Sequence, residues 1–452
     1  MQSSVLNRIT EFFSPKTIYK TFFVLGLTIT FVFSLLMPFF NEPDGQYHLA
    51  VSGRIGNTVI DTSRYGELDI ISGMVSQQDS YKDGTRFEKY YLNRAKFISW
   101  QEAPREVNYS KFNFVYWGHV IPAIGLRLGR LIYPSMGVMI TVARLFTSLM
   151  AITALTLIIK SLKKGHLIYF AVFLSPVALN AFASLSYDAT GFVIVAWLMA
   201  LQINTLVDRQ ITKRRLIAFL LVTLLTLLGC KQNYWLLLLL IPVVLLNCDY
   251  PQAQAYRQRL SQYTAYVKSK WWLRLGILAL LLAGFVIITL PHGGPFIVIR
   301  RYLMTFGYNY AGTDLLSNDI TSWLAAPYPS FNYIPTWVSA VWYLLIFAVL
   351  FSEEKFIASR SVGLTYLAFF FLGVFGVFFI MLDYNGARTS YIEGVQGRYF
   401  TPTLLTLQVF AASTASRLNQ AARRLVPLFL LGLILVSNGL LLFDTVISLI
   451  LR

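Results

Sequence analysis

A chain of 452 residues that is 56% hydrophobic and only 13% charged, with a mean hydropathy of +0.58, is too apolar for a soluble domain, whose charged fraction is usually about 25%. Its formal charge of +17 would suit a nucleic-acid binder, but Lys and Arg fall mostly between long apolar runs, as the positive-inside rule describes for a multi-spanning membrane protein. No nucleic-acid partner is therefore expected. The apolar runs are helical in length, roughly 20 residues per crossing, and lack the short alternating segments of an outer-membrane barrel. Two cysteines, Cys230 and Cys248, flank one hydrophobic segment and are not expected to pair.

Arg8 and Lys16 precede an apolar run from about Ile18 to Phe40 that is too long for a signal-peptide core, so the N-terminus reads as a retained cytoplasmic lead-in. Directly after that span stands Asn41-Glu42-Pro43-Asp44-Gly45-Gln46-Tyr47-His48, two carboxylates and an imidazole at the membrane boundary. With Pro43 opening a short helix, Asp44 and His48 are four residues apart and share a face. The cluster reads either as a divalent-cation site or catalytic base, or as a helix cap with an interfacial histidine.

Residues 41–133 form a first large extracytoplasmic segment of mixed charge, ending in an aromatic, amphipathic stretch from Phe112 to Leu131 that is expected to lie along the membrane surface. Crossings then follow at about 136–159, 166–182, 189–207, 216–229 and 234–246, with Lys160, Lys163, Lys164 and Arg209 to Arg215 marking cytoplasmic turns. Residues 248–272 combine Arg257, Arg259, Lys268 and Lys270 with Tyr and Trp, the pattern of a cytoplasmic amphipathic helix held by anionic lipid. A crossing at 275–290 leads to a second large external segment, 291–335. Crossings at 337–351, 362–382, 400–415 and 426–449 complete a single all-α polytopic domain of about eleven spans.

This topology sends Glu42, Asp44, His48, Tyr187, Asp188, Lys231, Arg300, Arg301, Arg388, Glu393 and Arg398 to one side of the membrane, where carboxylates facing several cations suit a phosphorylated or pyrophosphorylated lipid. Each also has a purely structural reading. Asp188 can cap the next helix, Lys231 can snorkel to headgroups, Arg398 can pair with Glu393, and His119 and His292 can be interfacial histidines.

Four stretches, Asn41-Glu42-Pro43-Asp44 through His48, Leu185-Ser186-Tyr187-Asp188, Lys231-Gln232-Asn233-Tyr234 and Gln396-Gly397-Arg398-Tyr399-Phe400, together resemble an uncharacterised bacterial family of polytopic proteins grouped with the GT-C superfamily. That superfamily contains polyprenyl-phosphate-sugar-dependent glycosyltransferases. The family's first motif reads closer to Pro-Asp-Glu-Pro, so the order of acids departs here and leaves Glu42 and Asp44 both candidates for the principal acid. The resemblance implies a GT-C-like fold, a polyprenyl-phosphate sugar donor bound from the outer leaflet, a glycan or lipid-linked acceptor, and no nucleotide-sugar site. It implies that Asp44, assisted by Glu42, activates an acceptor hydroxyl or, with Glu42 and His48, holds Mg or Mn. Lys231, Arg388 and Arg398 then neutralise the departing phosphate, with His48, Tyr187, Asp188, Arg300, Glu393, Gln396 and Tyr399 completing the substrate site. Two other readings are a transporter or flippase for lipid-linked saccharides and a non-catalytic scaffold for envelope assembly.

Overall fold

The computed structural model describes residues 11–40, 42–65, 82–102, 110–308, 322–328, 332, 334–384 and 391–451. Helices make up most of these residues, and no strand is formed among them. Isolated bridges, Ile60 to Phe97 and Arg94 to Ser135, tie the stretch between Gly56 and Phe114 to itself and to the start of the helix at Met136. Helix α1, Ile18–Leu36, is followed by α2, Gly45–Gly56, and α3, Phe114–Ile132. Then come α4, Met136–Ser161, α5, His166–Phe173, α6, Pro176–Phe182, α7, Asp188–Asp208, and α8, Lys213–Gly229. A 3-10 stretch, Gln232–Leu239, runs into α9, Leu240–Leu246, before α10, Pro251–Ser269, α11, Trp271–Thr289, and α12, Pro295–Leu303. Helices α13, Thr336–Leu350, α14, Arg360–Ile380, α15, Leu405–Ser413, and α16, Gln420–Leu451, finish the bundle.

Among the described residues, six helices are long and apolar enough to cross a membrane: α1, α4, α7, the segment opening with α11, the segment opening with α14, and α16. A seventh results if the bent pair 232–246 and 251–269 is one span. Most of the remaining expected crossings fall on shorter or interrupted helices. The stretch 166–182 is not continuous, because Ser175-Pro176 breaks it: Pro disfavours helical backbone in the residue before it, and Ser175 takes an extended conformation that caps α6. Two short, buried helices stand there. Helix α8, with 17 residues, is about 26 Å long, slightly under the roughly 30 Å of a hydrocarbon core.

Helix α7 lies at the centre of the bundle, 72% of its apolar window buried, whereas α11 is at the outside with 6% buried. The 21 residues of α7 span about 31 Å, so its two ends lie about a membrane thickness apart. Its last turn is basic in surroundings: Asp208 pairs with Lys163 at 2.5 Å and with Arg215, and Arg209 pairs with Asp249 at 2.7 Å. Its first residue, Asp188, lies at the opposite end, beside the turn between α1 and α2.

Helix α3 does not stand apart as a surface helix. Its Arg127 and Arg130 are exposed, but its other face packs on α4 almost backbone to backbone. A Cβ added at Gly125 would come 2.5 Å from Ala143 Cα, and one at Gly129 would come 2.6 Å from Met139 Cα. Small residues allow such approach between helices in lipid, where apolar burial adds little driving force. We expect Gly125→Leu to destabilise the protein by about 2 kcal/mol through overpacking. Gly276→Ala, placed in open space, should leave the thermal midpoint in detergent unlowered; an equal drop in both would remove the close packing as the cause.

Candidate functional site

The turn after α1 is built from unusual backbone. Phe40 and Asp44 both adopt left-handed conformation, with φ 62° at each, and a Cβ on Gly45 would lie 2.5 Å from that of Phe40. Only glycine fits there. Asp tolerates the left-handed region better than most residues, at a cost on the order of 1 kcal/mol. The helix therefore opens at Gly45 and not at Pro43, with Asp44 as its N-cap but without a capping side-chain bond. This corrects the expected shared face. Asp44 turns outward with its side chain 47% exposed, whereas His48 is fully buried.

Glu42 points a third way, into the protein. Its carboxylate lies 3.9 Å from Arg144 of α4, which also donates to the carbonyls of Met37 at 3.0 Å and Pro38 at 2.7 Å. The Leu185 N–H approaches Glu42 Oε1 at 3.4 Å. Burial pushes the Glu42 carboxyl above its usual range, with Arg144 opposing. Glu42 and Arg144 thus lock the end of α1 to α4 and to the turn before α7.

Asp188 is the centre of the charged cluster. Its carboxylate, 2% exposed, lies 2.9 Å from Lys231 Nζ through one oxygen and 3.1 Å from Arg398 Nε through the other. It does not cap α7; its N–H donates to Ser186 Oγ at 3.2 Å. Arg398 reaches onward to Asp44 at 3.7 Å. Lys231 Nζ also lies over the ring of Tyr399 at 3.7 Å and that of Tyr187 at 4.7 Å, which are cation–π distances. Burial lowers the Lys231 ammonium to about 8, with Asp188 holding it up, and the surrounding carboxylates keep the Arg398 guanidinium above its ordinary value despite its burial.

Beside this cluster lies a cavity of about 200 Å³. Tyr187, Lys231, Gln232, Asn233 and Tyr399 give it one polar side, and Val377, Ile380 and Met381 near the end of α14 give it an apolar one. The Asn233 amide donates to the Tyr399 carbonyl at 3.1 Å, which ties the break before α9 to the turn Gly397–Tyr399.

Behind Tyr187 two buried histidines meet. His48 Nδ1 and His119 Nε2 are 2.8 Å apart, and His119 Nδ1 bonds the Val115 carbonyl. Burial lowers both, His119 to about 4, so both rings are neutral near pH 7. His119 then donates from Nδ1 to the carbonyl and accepts from His48 Nδ1. Both rings stand edge-on to Tyr187, at 4.9 and 5.3 Å, and fix its position. Gly118 allows this contact, since a Cβ there would come 2.3 Å from Tyr187 Cβ.

The structure thus brings together Asp44, Tyr187, Asp188, Lys231, Arg398 and Tyr399, and places His48 behind them. Glu42, Asp44 and His48 face Arg144, Arg398 and His119 respectively, so they do not form the three-ligand site expected for Mg or Mn. Among the described residues no group of three His, Cys, Asp or Glu side chains converges. Arg300 is exposed, while its neighbour Arg301 is buried and donates to the carbonyls of Leu382 at 2.6 Å and Tyr391 at 3.3 Å. Glu393 acts electrostatically on Arg301, not as the partner of Arg398. Gln396 precedes the turn and accepts the Tyr399 N–H through its backbone carbonyl at 3.0 Å. Asn41 and Arg388 lie outside the described residues. Sequence reasoning missed Arg144, treated Gln232 and Asn233 only as part of a motif, and read His119 as merely interfacial.

Over residues 27–407 the chain matches the family described as a predicted membrane protein, DUF2142, and it belongs to that family. No curated protein and no solved structure matches it.

Removing one partner of a buried ion pair leaves an uncompensated charge. Arg144→Met, which also orphans two carbonyls, should cost about 3 kcal/mol in detergent unfolding. An unchanged midpoint would mean that the Glu42 contact does not hold the turn.

Proposed function

We propose that this protein is a GT-C-type glycosyltransferase that moves a sugar from a polyprenyl-phosphate donor to a glycan or lipid-linked acceptor. In this reading it has about eleven crossings of the cytoplasmic membrane, its N-terminus inside and its site on the extracytoplasmic face, opposite the basic turns. The observation that carries the proposal is one half-exposed carboxylate, Asp44, beside a guanidinium that shares a buried carboxylate with an ammonium. A base and two cations on one face are what direct displacement at an anomeric carbon requires. The resemblance of the four motifs to GT-C proteins is a separate support, and all four motifs contribute a residue to this cluster.

The step is a single displacement. The acceptor hydroxyl oxygen attacks the anomeric carbon while the carbon–oxygen bond to the polyprenyl phosphate breaks, and the phosphate leaves with the bonding pair. Asp44 takes the hydroxyl proton. Lys231 and Arg398 balance the charge that grows on the phosphate, with Asp188 keeping both oriented. The apolar side of the cavity suits the first isoprene units of the donor. Some polar side chains buried between the helices pair locally, as Gln202 does with Tyr366 at 2.7 Å, which is in keeping with chemistry at the boundary.

Full-length protein in nanodiscs, supplied with a synthetic polyprenyl-phosphate sugar and acceptor, tests this. Asp44→Asn should lower turnover at least about a hundredfold, the usual contribution of general-base catalysis, with donor binding kept. Transfer at the wild-type rate would overturn the assignment. EDTA separates the two roles of Asp44: a base leaves activity intact, whereas a cation ligand loses it.

The pH profile gives a second test. The ammonium of Lys231 is required, so activity should fall as pH rises through about 8, where that group loses its proton. In Lys231→Arg the limb should move upward by more than a pH unit; a limb that stays in place would assign it to another group.

A further inference from the structure

The opposite end of α7 holds a second, larger cavity, about 580 Å³, between α7, α9, α10 and the start of α14. Its polar lining includes Arg209, Arg257, Ser359 and Ser361, and its apolar lining includes Leu246 and Leu260. The two guanidiniums share a single carboxylate: Asp249 is 2.7 Å from Arg209 and 3.9 Å from Arg257. One anion facing two cations leaves the mouth of the cavity positive. Arg209 is held there by a left-handed backbone, φ 54°, and by its carbonyl, which accepts the Asp249 N–H at 2.7 Å.

The surroundings select an amphiphile. The chain bends by 105° between α9 and α10, so α10 runs across the basic face and not through the bundle. Helix α10 contains Arg257, Arg259 and Lys268 and no acidic residue. Tyr256, Tyr263 and Tyr266 along it, and Trp271 and Trp272 just after it, are exposed, the residues that favour the headgroup layer. A cavity with cations at its mouth and leucines in its wall, opening at that layer, matches a phosphate followed by hydrocarbon.

We propose that this cavity binds the headgroup of an anionic phospholipid from the leaflet on the basic face, with its phosphate between Arg209 and Arg257 and its acyl chain along Leu246 and Leu260. The site is separate from the one assigned to sugar transfer and does not rest on that assignment.

Native mass spectrometry of the full chain in detergent, titrated with phosphatidylglycerol, phosphatidylcholine or inorganic phosphate, tests it. Phosphatidylglycerol adducts should exceed phosphatidylcholine adducts at least tenfold and should resist an excess of inorganic phosphate. Arg257→Gln should reduce them about tenfold, and Arg209→Asn, chosen because Asn accepts left-handed backbone, should do likewise. Arg259→Gln, on the same exposed helix but outside the cavity, should leave them unchanged. Equal loss in Arg259→Gln would assign the adducts to general surface charge and overturn the site. Displacement by equimolar inorganic phosphate, or equal phosphatidylcholine binding, would overturn the lipid.

Discussion

A buried carboxylate is tolerated only when its charge is matched, and Asp188 meets two cations at the first residue of α7, the most enclosed of the candidate spans among the described residues. Much of the site follows from that constraint. Lys231 and Arg398 come from breaks between helices, and neither break packs by hydrophobic matching alone. Their common anion draws the ends of α8 and the Gly397–Tyr399 turn onto α7, and Asn233 then ties those two segments to each other. Replacing the ion group by apolar side chains would hold a helix bundle together at least as well. What it would not supply is a pair of oriented cations beside a cavity.

The same economy explains why Asp44 and Glu42, two residues apart, do different things. Glu42 is spent on Arg144 and the turn before α7, a structural role in the interior. Asp44 is thrown outward by its left-handed backbone and meets Arg398 from the solvent side. Its neighbour His48 turns back into the protein to His119, and the two neutral rings support Tyr187. The acidic cluster of the sequence is therefore divided by backbone geometry into an inward anchor, an outward-facing carboxylate and a buried histidine that supports aromatic packing.

This bears on what could be read before the fold was known. The four polar motifs were legible because charge is rare in such a chain, and a residue from each meets the others in one ion-paired cluster. That Glu42 turns inward and Asp44 outward was not legible, since it depends on φ at one residue and on an arginine 102 positions later that looks like any other basic residue in an apolar helix. Arg300 and Arg301 are adjacent in sequence, and only helix phase decides that Arg301 is buried. The crossings were legible where apolar runs are continuous, as in α4, α7 and α14. They were less so at 166–182, where Ser175-Pro176 divides a uniformly apolar stretch that hydropathy alone reads as one span.

Mass spectrometry of envelope glycans and lipid-linked sugars, in a strain lacking this protein and complemented with wild type or Asp44→Asn at matched expression, addresses the central claim most directly. The account predicts that one sugar substituent disappears in the deletion strain and returns with wild type. With Asp44→Asn it stays absent while a polyprenyl-phosphate sugar accumulates. Full restoration of the glycan by Asp44→Asn would contradict it, and would leave the carboxylate beside Arg398 as a part of the fold rather than of the chemistry.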